Sequence, residues 1–577
     1  MGFLKGSLIS GNLPLTASFL PITVFFFIYT FIITPYLFGP LSEIPNAHWS
    51  APLSSLWILN LRRKQRETFA VHAAHQRLGP VIRLGPNEIS VNSVEGGIRT
   101  VYAGGYEKGD WYKNVFSNYG TMPMFAMPEH GMHSKRKRMM SNIYAKSTLQ
   151  QSTSLRVASK VLLQERLLPR LEKLSETGDP VDWYEVVSAV TMDFVNAYIF
   201  GLKNGSDFLR EPEKCSAFLK SYKDRQTYTF WPQELRGLTS FLQRIGLAWI
   251  LVPKWVDEAN AGIEKWVLEM CDNAERTLNA IEEGDEDESS TKAGNYPTVY
   301  AQMRGALLKE HSKSLDDSTL QLPVGETVRR QRLEIASEML DHSMAGFDTS
   351  GITITYLTWE LSRPHNKRWQ DKLRDEITGL DTPTPTPKAI DSLPILNAIL
   401  METLRLHAAI PGNQPRVTPA KATLGGSPYF PAEIAAARIK HTIAPIYPDL
   451  PANVRVNAQA WSLHRNPHVF TEPEVWNPAR WLPDSSPDGE SSDEQLKEMS
   501  RWFWAFGSGG RMCVGSNLAM QEIKAVICLV WGPQGFETKV VGDAGMGHNG
   551  GYLAEPLGDE NGKAVMLSLR KVGGVGG

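Results

Sequence analysis

The sequence contains few cysteines and no excess of charge of either sign. Its 577 residues include four cysteines, Cys215, Cys271, Cys513 and Cys528, which are too few and too scattered for a disulfide framework. Such usage is typical of a protein in a reducing compartment. There are 60 lysines and arginines against 62 aspartates and glutamates, so the net charge of −2 gives no indication of a nucleic-acid partner. The absence of an internal repeat argues against the repeat architectures.

The N-terminal region lacks charge altogether. No charged residue occurs in Gly6–Ser42, and Pro14–Leu37 is strongly apolar. Because about 20 apolar residues span a bilayer as a helix, the sequence predicts a membrane anchor over residues 1–39, followed by a proline-containing hinge over 40–60. The alternative is a cleaved signal peptide, but its apolar part would be shorter, and no small-residue cleavage site is evident. The basic cluster Arg62–Arg66 after the span favours a cytoplasmic catalytic body.

One cysteine stands in an unusual setting. The pattern Phe-x-x-Gly-x-Arg-x-Cys-x-Gly runs from Phe506 to Gly515, with Cys513 directly before a helix-like stretch. Glycines allow the backbone to approach a bulky, flat partner closely, and a sulfur at a helix N-terminus is kept as thiolate. A thiolate is one of the proximal ligands of haem iron. The simpler interpretation is a glycine-rich turn around a buried free cysteine, but the complete spacing favours haem ligation.

This pattern resembles the cysteine loop of the cytochrome P-450 superfamily, and the loop sequences look most like filamentous-fungal members. The resemblance implies the P-450 fold, which is mostly α with small β-sheets (α+β), with a catalytic domain over residues 61–572. It further implies haem b, with Cys513 as the axial ligand of its iron. Phe506 would then pack beside the thiolate, and Arg511 would pair with a haem propionate.

The same resemblance assigns three more residues to the haem. His133 matches a ring residue that contacts a propionate, and Lys137 stands four positions later, where the family usually has arginine. The bidentate contact that arginine would make there is therefore in doubt. Arg416 matches a further propionate partner. The neighbouring basic residues Lys135, Arg136 and Arg138 would face a negatively charged redox partner, since opposite charges mainly speed docking.

A long helical stretch, Leu333–Ser362, carries the second candidate site. Its glycines and threonines are poor residues for a helix interior and predict a local break in the helical hydrogen bonds. The alternative is that the hydroxyls bond back to the preceding turn. The resemblance implies that Asp348 and Thr349 are the acid–alcohol pair of the family. Thr349 would hold dioxygen by its hydroxyl, and Asp348 would relay protons as a general acid.

A third group is predicted to be structural. Glu402 and Arg405 lie at i and i+3 of a helical stretch, so they share a face and can pair. Alone this would be an ordinary surface pair. Arg480 lies in a segment that resembles the arginine-containing meander of the family. The resemblance implies that the three residues form a buried charge network.

Three other segments carry predictions of their own. Val81–Val91 alternates and predicts a short hairpin. Residues 427–450 depart from the family and are either a surface insertion or retained non-coding sequence in the gene. Phe241–Trp255 is either core or, as the resemblance implies, a segment that dips into the membrane beside the substrate channel.

The sequence thus predicts a haem-thiolate monooxygenase that inserts one atom of O₂ into an apolar small molecule. Electrons would come from NADPH through a separate cytochrome P-450 reductase, with cytochrome b5 as an optional partner. The location would be the endoplasmic reticulum membrane, with a single span, and the pathway fungal secondary metabolism. Two alternatives remain. One is a reductase-independent haem-thiolate isomerase or dehydratase, which typically lacks the acid–alcohol pair. The other is a membrane haem protein without turnover.

Overall fold

The chain is mainly helical, with short strands gathered in small sheets. The computed structural model describes residues 15–283, 293–315, 324–380, 385–427 and 445–572. In this part of the chain the α-helices are α1 (Leu15–Ile28), α2 (Leu56–Arg63), α3 (Glu67–Leu78), α4 (Lys113–Phe116), α5 (His130–Met140), α6 (Lys146–Gln151), α7 (Thr153–Lys160), α8 (Leu168–Thr177), α9 (Trp183–Phe200), α10 (Pro212–Gln226), α11 (Phe230–Glu234), α12 (Arg236–Arg244), α13 (Lys254–Glu282), α14 (Thr298–Leu315), α15 (Val324–Ser362), α16 (Lys367–Thr378), α17 (Pro387–Asp391), α18 (Pro394–Leu406), α19 (Ala460–Leu463), α20 (Asp493–Trp502) and α21 (Ser516–Trp531). Three further segments are π-helical: Tyr29–Phe38, Val94–Ala103 and Val161–Leu167.

The strands form three small sheets. They are β1 (Val81–Gly85), β2 (Glu88–Val91), β3 (Val181–Asp182), β4 (Arg416–Val417), β5 (Ala422–Gly425), β6 (Ile446–Leu450), β7 (Arg455–Asn457), β8 (Phe536–Gly542) and β9 (Met566–Lys571). The orders are β1-β2-β7-β4, β3-β9-β8 and β5-β6. β1 and β2 pair antiparallel from Val81↔Val91, so the predicted hairpin forms. The resulting mixture of many helices and small sheets agrees with the predicted fold class.

The helices α9 and α15 form the centre of the fold. Every residue of α9 except Glu185 is buried, including the polar Asp193 and Asn196, so this helix lies inside the core. At Gly346 of α15 an added Cβ would lie 2.6 Å from Cγ2 of Val195 on α9, so only glycine permits this approach. α15 is one continuous helix, and the break predicted within it is absent. Its threonines bond backwards instead, as Thr353 does to the Thr349 carbonyl (2.8 Å).

The N-terminal helix stands apart from the core. α1 has 14 residues and continues into the π-helical segment Tyr29–Phe38, where large apolar side chains are exposed, such as Leu37 at 65%. Among the described residues, no helix combines the length and the hydropathy needed to cross a membrane. Residues 1–14 of the predicted anchor lie outside the described residues.

The region predicted to be an insertion ends inside a sheet. β5 and β6 pair antiparallel, with Leu424 opposite Tyr447 and Gly425 opposite Ile446. Residues 428–444, which join the two strands, lie outside the described residues. The insertion over 427–450 therefore stays a prediction, although its last residues belong to a two-stranded sheet.

Candidate active site

Cys513 lies in the turn that leads into α21. Its backbone N–H donates to the Phe506 carbonyl (3.0 Å), which closes the loop between the two residues. Gly509 has a φ of 71°, and a Cβ there would lie 2.4 Å from the Tyr102 carbonyl oxygen. Only glycine meets both conditions. Sterics therefore require glycine in this turn, and the turn places Cys513 just ahead of the first helical residue, Ser516.

The Cys513 side chain is exposed to a cavity of about 1120 Å³. Protein surrounds this cavity, and the resulting desolvation raises the pKa of the thiol, whereas the N–H groups of Gly515 and Ser516 and the charge of Lys137 lower it. Desolvation prevails, so the helix start alone does not keep this sulfur as thiolate, contrary to the expectation from the sequence. Coordination to a metal would reverse this balance, because a coordinating thiol is deprotonated outright.

Asp348 and Thr349 line the same cavity from α15. The Thr349 hydroxyl donates to the Ala345 carbonyl, one turn back in the helix (2.8 Å). This is the arrangement that the sequence left open as the alternative to a broken helix. A hydroxyl held in this way keeps its oxygen available as an acceptor toward the cavity. The sulfur of Cys513 and the acid–alcohol pair therefore share one cavity.

Asp348 is a buried acid with an unusual environment. Its Oδ2 accepts from the Tyr222 hydroxyl (3.2 Å), and its Oδ1 has no hydrogen-bond partner in the described part of the chain. Burial raises the pKa of Asp348 to about 7; the nearby Glu555 adds to this rise and Tyr222 opposes it. A carboxyl group with such a pKa can take up and release a proton near neutral pH.

Two predicted haem contacts, Arg511 and Arg416, lie close together. Arg511 donates to the carbonyls of Met127 (2.6 Å) and Pro128 (2.5 Å). Arg416 is buried and donates to the Tyr112 hydroxyl (3.1 Å). Burial lowers the pKa of Arg511 to about 10, and the charge of Arg416 lowers it further. In the part of the chain that the structure describes, neither arginine forms an ion pair with a carboxylate, so both charges remain available to an anionic group.

His133 and Lys137 lie on one face of α5 and also line the cavity. Lys137 donates to the carbonyls of Gly510 (2.9 Å) and Met512 (3.2 Å), so it contacts the backbone of the cysteine loop. Burial lowers the pKa of His133 to about 3, and the charges of Arg511 and its other basic neighbours add to this. His133 is therefore neutral at physiological pH, and one ring nitrogen can donate a hydrogen bond.

Lys108 belongs to this group, and sequence reasoning missed it. The side chain is buried and lines the cavity; its Nζ donates to the Phe125 carbonyl (2.6 Å) and lies 4.2 Å from the centre of the Tyr112 ring. Burial lowers the pKa of Lys108 well below its usual range, and Arg416 and Arg511 lower it further. No motif surrounds this lysine in the sequence, so only the fold brings it to the cations.

These residues fit a haem. Cys513 offers one sulfur, Arg416 and Arg511 offer cationic donors, and Lys108 offers a further N–H donor, a set that suits a group with two carboxylates. Among the described residues, no three histidines, cysteines or acids lie close enough together to hold a bare metal ion. A single thiol beside a group of cations suits an iron porphyrin with one protein ligand.

The structure brings Glu402, Arg405 and Arg480 together; we call these three residues the brace. Glu402 and Arg405 are both on α18 and are fully buried. Glu402 accepts from Nε and Nη2 of Arg405 (2.8 Å each) and from Nε of Arg480 (3.1 Å). Its Oε1 also accepts from the Asn477 backbone N–H (2.9 Å) and its Oε2 from the Trp481 indole (3.0 Å). One carboxylate is thus shared by two arginines.

A second buried network was not predicted, and we call it the sheet network. It consists of Arg62, Glu67, Glu88, Glu234 and Arg455. Arg62 pairs with Glu67 (2.7 Å), Glu88 and Glu234 (3.2 Å). Arg455 pairs with Glu88 (3.2 Å) and Glu234 (2.9 Å). Because Glu88 and Arg455 are partners on β2 and β7, the network ties that sheet to α11, which carries Glu234.

Comparison with known proteins gives a consistent result. The chain matches the protein-family model described as Cytochrome P450 over residues 50–435 and 448–541. It is 28% identical over 449 residues to cytochrome P450 monooxygenase avaI of Aspergillus versicolor, covering 78% of this chain and 93% of that protein. It is 24% identical over 526 residues to cytochrome P450 monooxygenase macH of Penicillium terrestre, covering 88% and 89% of the two chains. It is also 24% identical over 502 residues to tryprostatin B 6-hydroxylase of Aspergillus fumigatus, covering 85% and 74%.

Proposed function

The chain belongs to the cytochrome P450 family, and from that premise we propose that it is a haem-thiolate monooxygenase that inserts one oxygen atom of O₂ into an apolar small molecule. The observation that carries this proposal is the shared cavity. Cys513 lies on one side of it, and Asp348 and Thr349 line it from α15. A thiol ligand and a proton-relaying pair in one cavity suit the reductive activation of dioxygen.

The cofactor would be haem b. Bound at Cys513, the iron would supply the oxygen chemistry, with the thiolate favouring O–O cleavage. Arg511, Arg416 and Lys108 would hold the carboxylates, and neutral His133 would donate a hydrogen bond. Lys137 fixes the backbone of the cysteine loop rather than reaching further, since both of its contacts are loop carbonyls.

The chain's own residues supply the proton chemistry. Asp348 can exist in both protonation states near neutral pH, and its Oδ1 has no hydrogen-bond partner among the described residues. Tyr222 keeps Oδ2 in place, so the unpartnered Oδ1 would be the oxygen that takes up and releases the proton. The Thr349 hydroxyl, already donating to Ala345, accepts from a protonated group in the cavity and so orients it.

Electrons would come from NADPH through a separate reductase, and cytochrome b5 is a further candidate partner. Of the basic residues Lys135, Arg136 and Arg138, fewer would be available for docking than the sequence suggests. Arg136 is engaged internally by Glu334 (3.2 Å) and by Glu338 (3.3 Å). Lys135 pairs with Glu310, while Arg138 is exposed. Arg138 is therefore the residue of this run that is best placed for an acidic partner.

We propose that the protein is attached to the endoplasmic reticulum membrane with its catalytic domain in the cytoplasm. The apolar N-terminal segment supports this, as does a second exposed apolar surface in Phe241–Trp255. Within that surface Phe241, Trp249 and Ile250 are each more than half exposed, at 58%, 55% and 58%. Deletion of residues 1–39 should release the protein at least in part from membranes. Full retention would assign attachment to Phe241–Trp255 instead.

The substrate would belong to fungal secondary metabolism. This rests on the relatives, one of which is named as a hydroxylase of tryprostatin B. Comparison of metabolite profiles with and without the gene would identify the compound that accumulates. NADPH-dependent turnover of that compound supports a monooxygenase, whereas turnover without any electron source would establish an isomerase or dehydratase.

Two substitutions test the site itself. We expect Cys513→Ala to abolish the reduced-CO absorbance band of thiolate-ligated haem, while Cys528→Ala, a matched control on α21, keeps it. A band that survives in Cys513→Ala would refute the ligand. Thr349→Ala should keep the band but divert NADPH oxidation to hydrogen peroxide. Unchanged coupling of NADPH to product would remove Thr349 from the reaction.

A further inference from the structure

The wall of the cavity formed by α15 carries a carboxylate that the proposed reaction does not use. Asp341 lies seven residues before Asp348, which is about two helical turns, so the two acids share one face of the helix. Both line the cavity, as do Met344 and Ala345 between them. Asp341 is therefore part of the surface that a substrate would contact.

Asp341 has no hydrogen bond and no ion pair with any described residue. The cation that acts on it most is Lys108, but the Lys108 ammonium is already engaged: it donates to the Phe125 carbonyl (2.6 Å) and lies 3.9 Å from the centre of that ring. Burial raises the pKa of Asp341 to about 7, and Lys108 only partly opposes this. A carboxylate in this situation gains strongly from a cation brought to it.

Two other carboxylates of the cavity wall have partners. Asp348 accepts from Tyr222. Glu555 accepts from the Tyr184 hydroxyl (3.2 Å) and pairs with Lys223 (3.1 Å). Asp341 differs from both, since neither a tyrosine nor a lysine satisfies it in the described part of the chain. Glu522 also lacks a partner for its Oε1 in that part of the chain, but it lies on α21, the helix that follows Cys513. On the α15 wall, Asp341 is the cavity-lining acid with no hydrogen-bond partner at either oxygen among the described residues.

We propose that Asp341 binds a basic nitrogen, so that the substrate is an apolar molecule with a protonated or quaternary amine at one end. This deepens the proposed function and rests on it. Asp341 precedes Thr349 by eight residues, so the two are about 12 Å apart along the helix axis. The oxidised carbon would accordingly lie roughly 10 Å from the nitrogen, since the substrate runs along α15.

The surface beside this path suits the uncharged part of such a substrate. Phe116 and Phe125 line the cavity and meet edge to face, with ring centres 4.9 Å apart. Aromatic faces contribute apolar area and attract a cation that passes them. An aryl or alkyl body with a cationic end therefore fits the lining better than a neutral molecule of the same shape.

A pair of isosteric ligands tests the proposal on the full-length holoenzyme. The cationic probe is 4-phenylbutyl-trimethylammonium, whose quaternary nitrogen cannot coordinate iron. Its neutral partner is (5,5-dimethylhexyl)benzene, in which carbon replaces that nitrogen. We expect the wild type to bind the cation at least about tenfold more tightly than the neutral probe, and Asp341→Asn to lose this preference. Binding is measured by the haem difference spectrum and by calorimetry.

The control is Asp224→Asn, which removes a cavity-lining carboxylate that is exposed and paired with Lys220 (2.9 Å). It should retain the preference for the cation. Absence of the preference in the wild type, its persistence in Asp341→Asn, or an equal loss in Asp224→Asn would each overturn the proposal. Failure of the proposed function would appear separately, as absence of the reduced-CO band, because calorimetry scores the two probes whatever the state of the haem.

Discussion

The brace and the sheet network are both buried sets of arginines and glutamates, but their charges are unbalanced in opposite directions. The brace has one carboxylate for two arginines. The sheet network has three carboxylates for two arginines. A buried charge needs a partner, so each network must compensate its own excess.

The two networks compensate by different means. In the brace, main-chain carbonyls receive the surplus N–H groups: Arg405 donates to the carbonyls of His464 (3.0 Å) and Pro473 (2.7 Å), and Arg480 to that of Thr471 (2.8 Å). In the sheet network, side chains serve the surplus carboxylates. Trp111 donates to Glu234 (2.7 Å), Asn457 donates to Glu88 (2.6 Å), and Asn413 donates to Glu67. The brace therefore depends on the positions of backbone carbonyl groups, whereas the sheet network depends on side chains that a substitution can remove.

Within the sheet network, the pKa values of the glutamates show which carboxylate is in excess. Burial raises the pKa of Glu67, and the charge of Arg62 does not fully offset it. For Glu234, burial would act in the same direction, but Arg455 and Arg62 outweigh it and lower the pKa to about 2. The surplus carboxylate is thus Glu67, whereas Glu234 on α11 is held in its charged form.

The largest change in stability is expected from Glu402→Ala, which tests the brace. It leaves two buried arginines without a carboxylate, which costs about 3–5 kcal/mol of unfolding free energy. We expect little folded protein, measured as yield of the reduced-CO band and as the urea midpoint. Glu402→Gln, which keeps the shape and some acceptors, should recover part of the loss. Equal stability of Glu402→Ala and the wild type would show that the backbone carbonyls suffice.

The next largest effect is expected from Arg62→Met. It leaves three carboxylates facing one arginine, and we expect a loss of about 3 kcal/mol. The matched variant Glu67→Gln equalises the charges, with an expected change of at most about 1 kcal/mol in either direction. Urea unfolding at neutral pH measures both. If Glu67→Gln proved the more harmful, the assignment of the surplus charge to Glu67 would be wrong.

Glu234→Gln should change how acid affects stability. The folded-state pKa of Glu234 lies below its ordinary value of 4.5, so its contribution is present above about pH 4.5 and is lost as the pH falls toward 2. The shift corresponds to at most about 3 kcal/mol. Unfolding midpoints measured at decreasing pH should fall less steeply in Glu234→Gln than in the wild type. Parallel curves would remove Glu234 from the acid response.

The last comparison concerns the indole donors. Trp481→Phe removes one hydrogen bond to Glu402, and Trp111→Phe removes one to Glu234. Each should lose about 1.5–3 kcal/mol, with Trp111→Phe at the upper end, because carboxylates are in excess there. Thermal unfolding of both variants gives the order. The reverse order would mean that the charge excess does not decide the strength of these bonds.

The two networks also show what a sequence reveals. Two members of the brace are a helical i, i+3 pair, and the third lies in a segment that resembles a known meander, so all three could be named in advance. The sheet network joins α2, α3, β2, α11 and β7, and no spacing relates residues on five separate elements. Lys108 was missed for the same reason. Contacts between distant segments become visible only when the fold is known.

Local patterns gave mixed results. The alternating pattern of Val81–Val91 predicts a hairpin, and the hairpin forms because β1 and β2 are adjacent in the chain and pair antiparallel. The glycines and threonines of α15 predict a local break in the helix, but the helix is continuous. Gly346 instead permits close packing on Val195, and the threonine hydroxyls are satisfied within the helix. Tertiary packing outweighed helix propensity here.

The contact between Gly346 and Val195 has a mechanical consequence. With no side chain between them, α9 and α15 already touch at their closest distance, and packed interiors resist compression. The wall that carries Asp341, Asp348 and Thr349 cannot retreat from a bulky ligand. Any widening of the cavity must therefore come from lining segments outside the contact between α9 and α15, while the distances along the α15 wall remain constant.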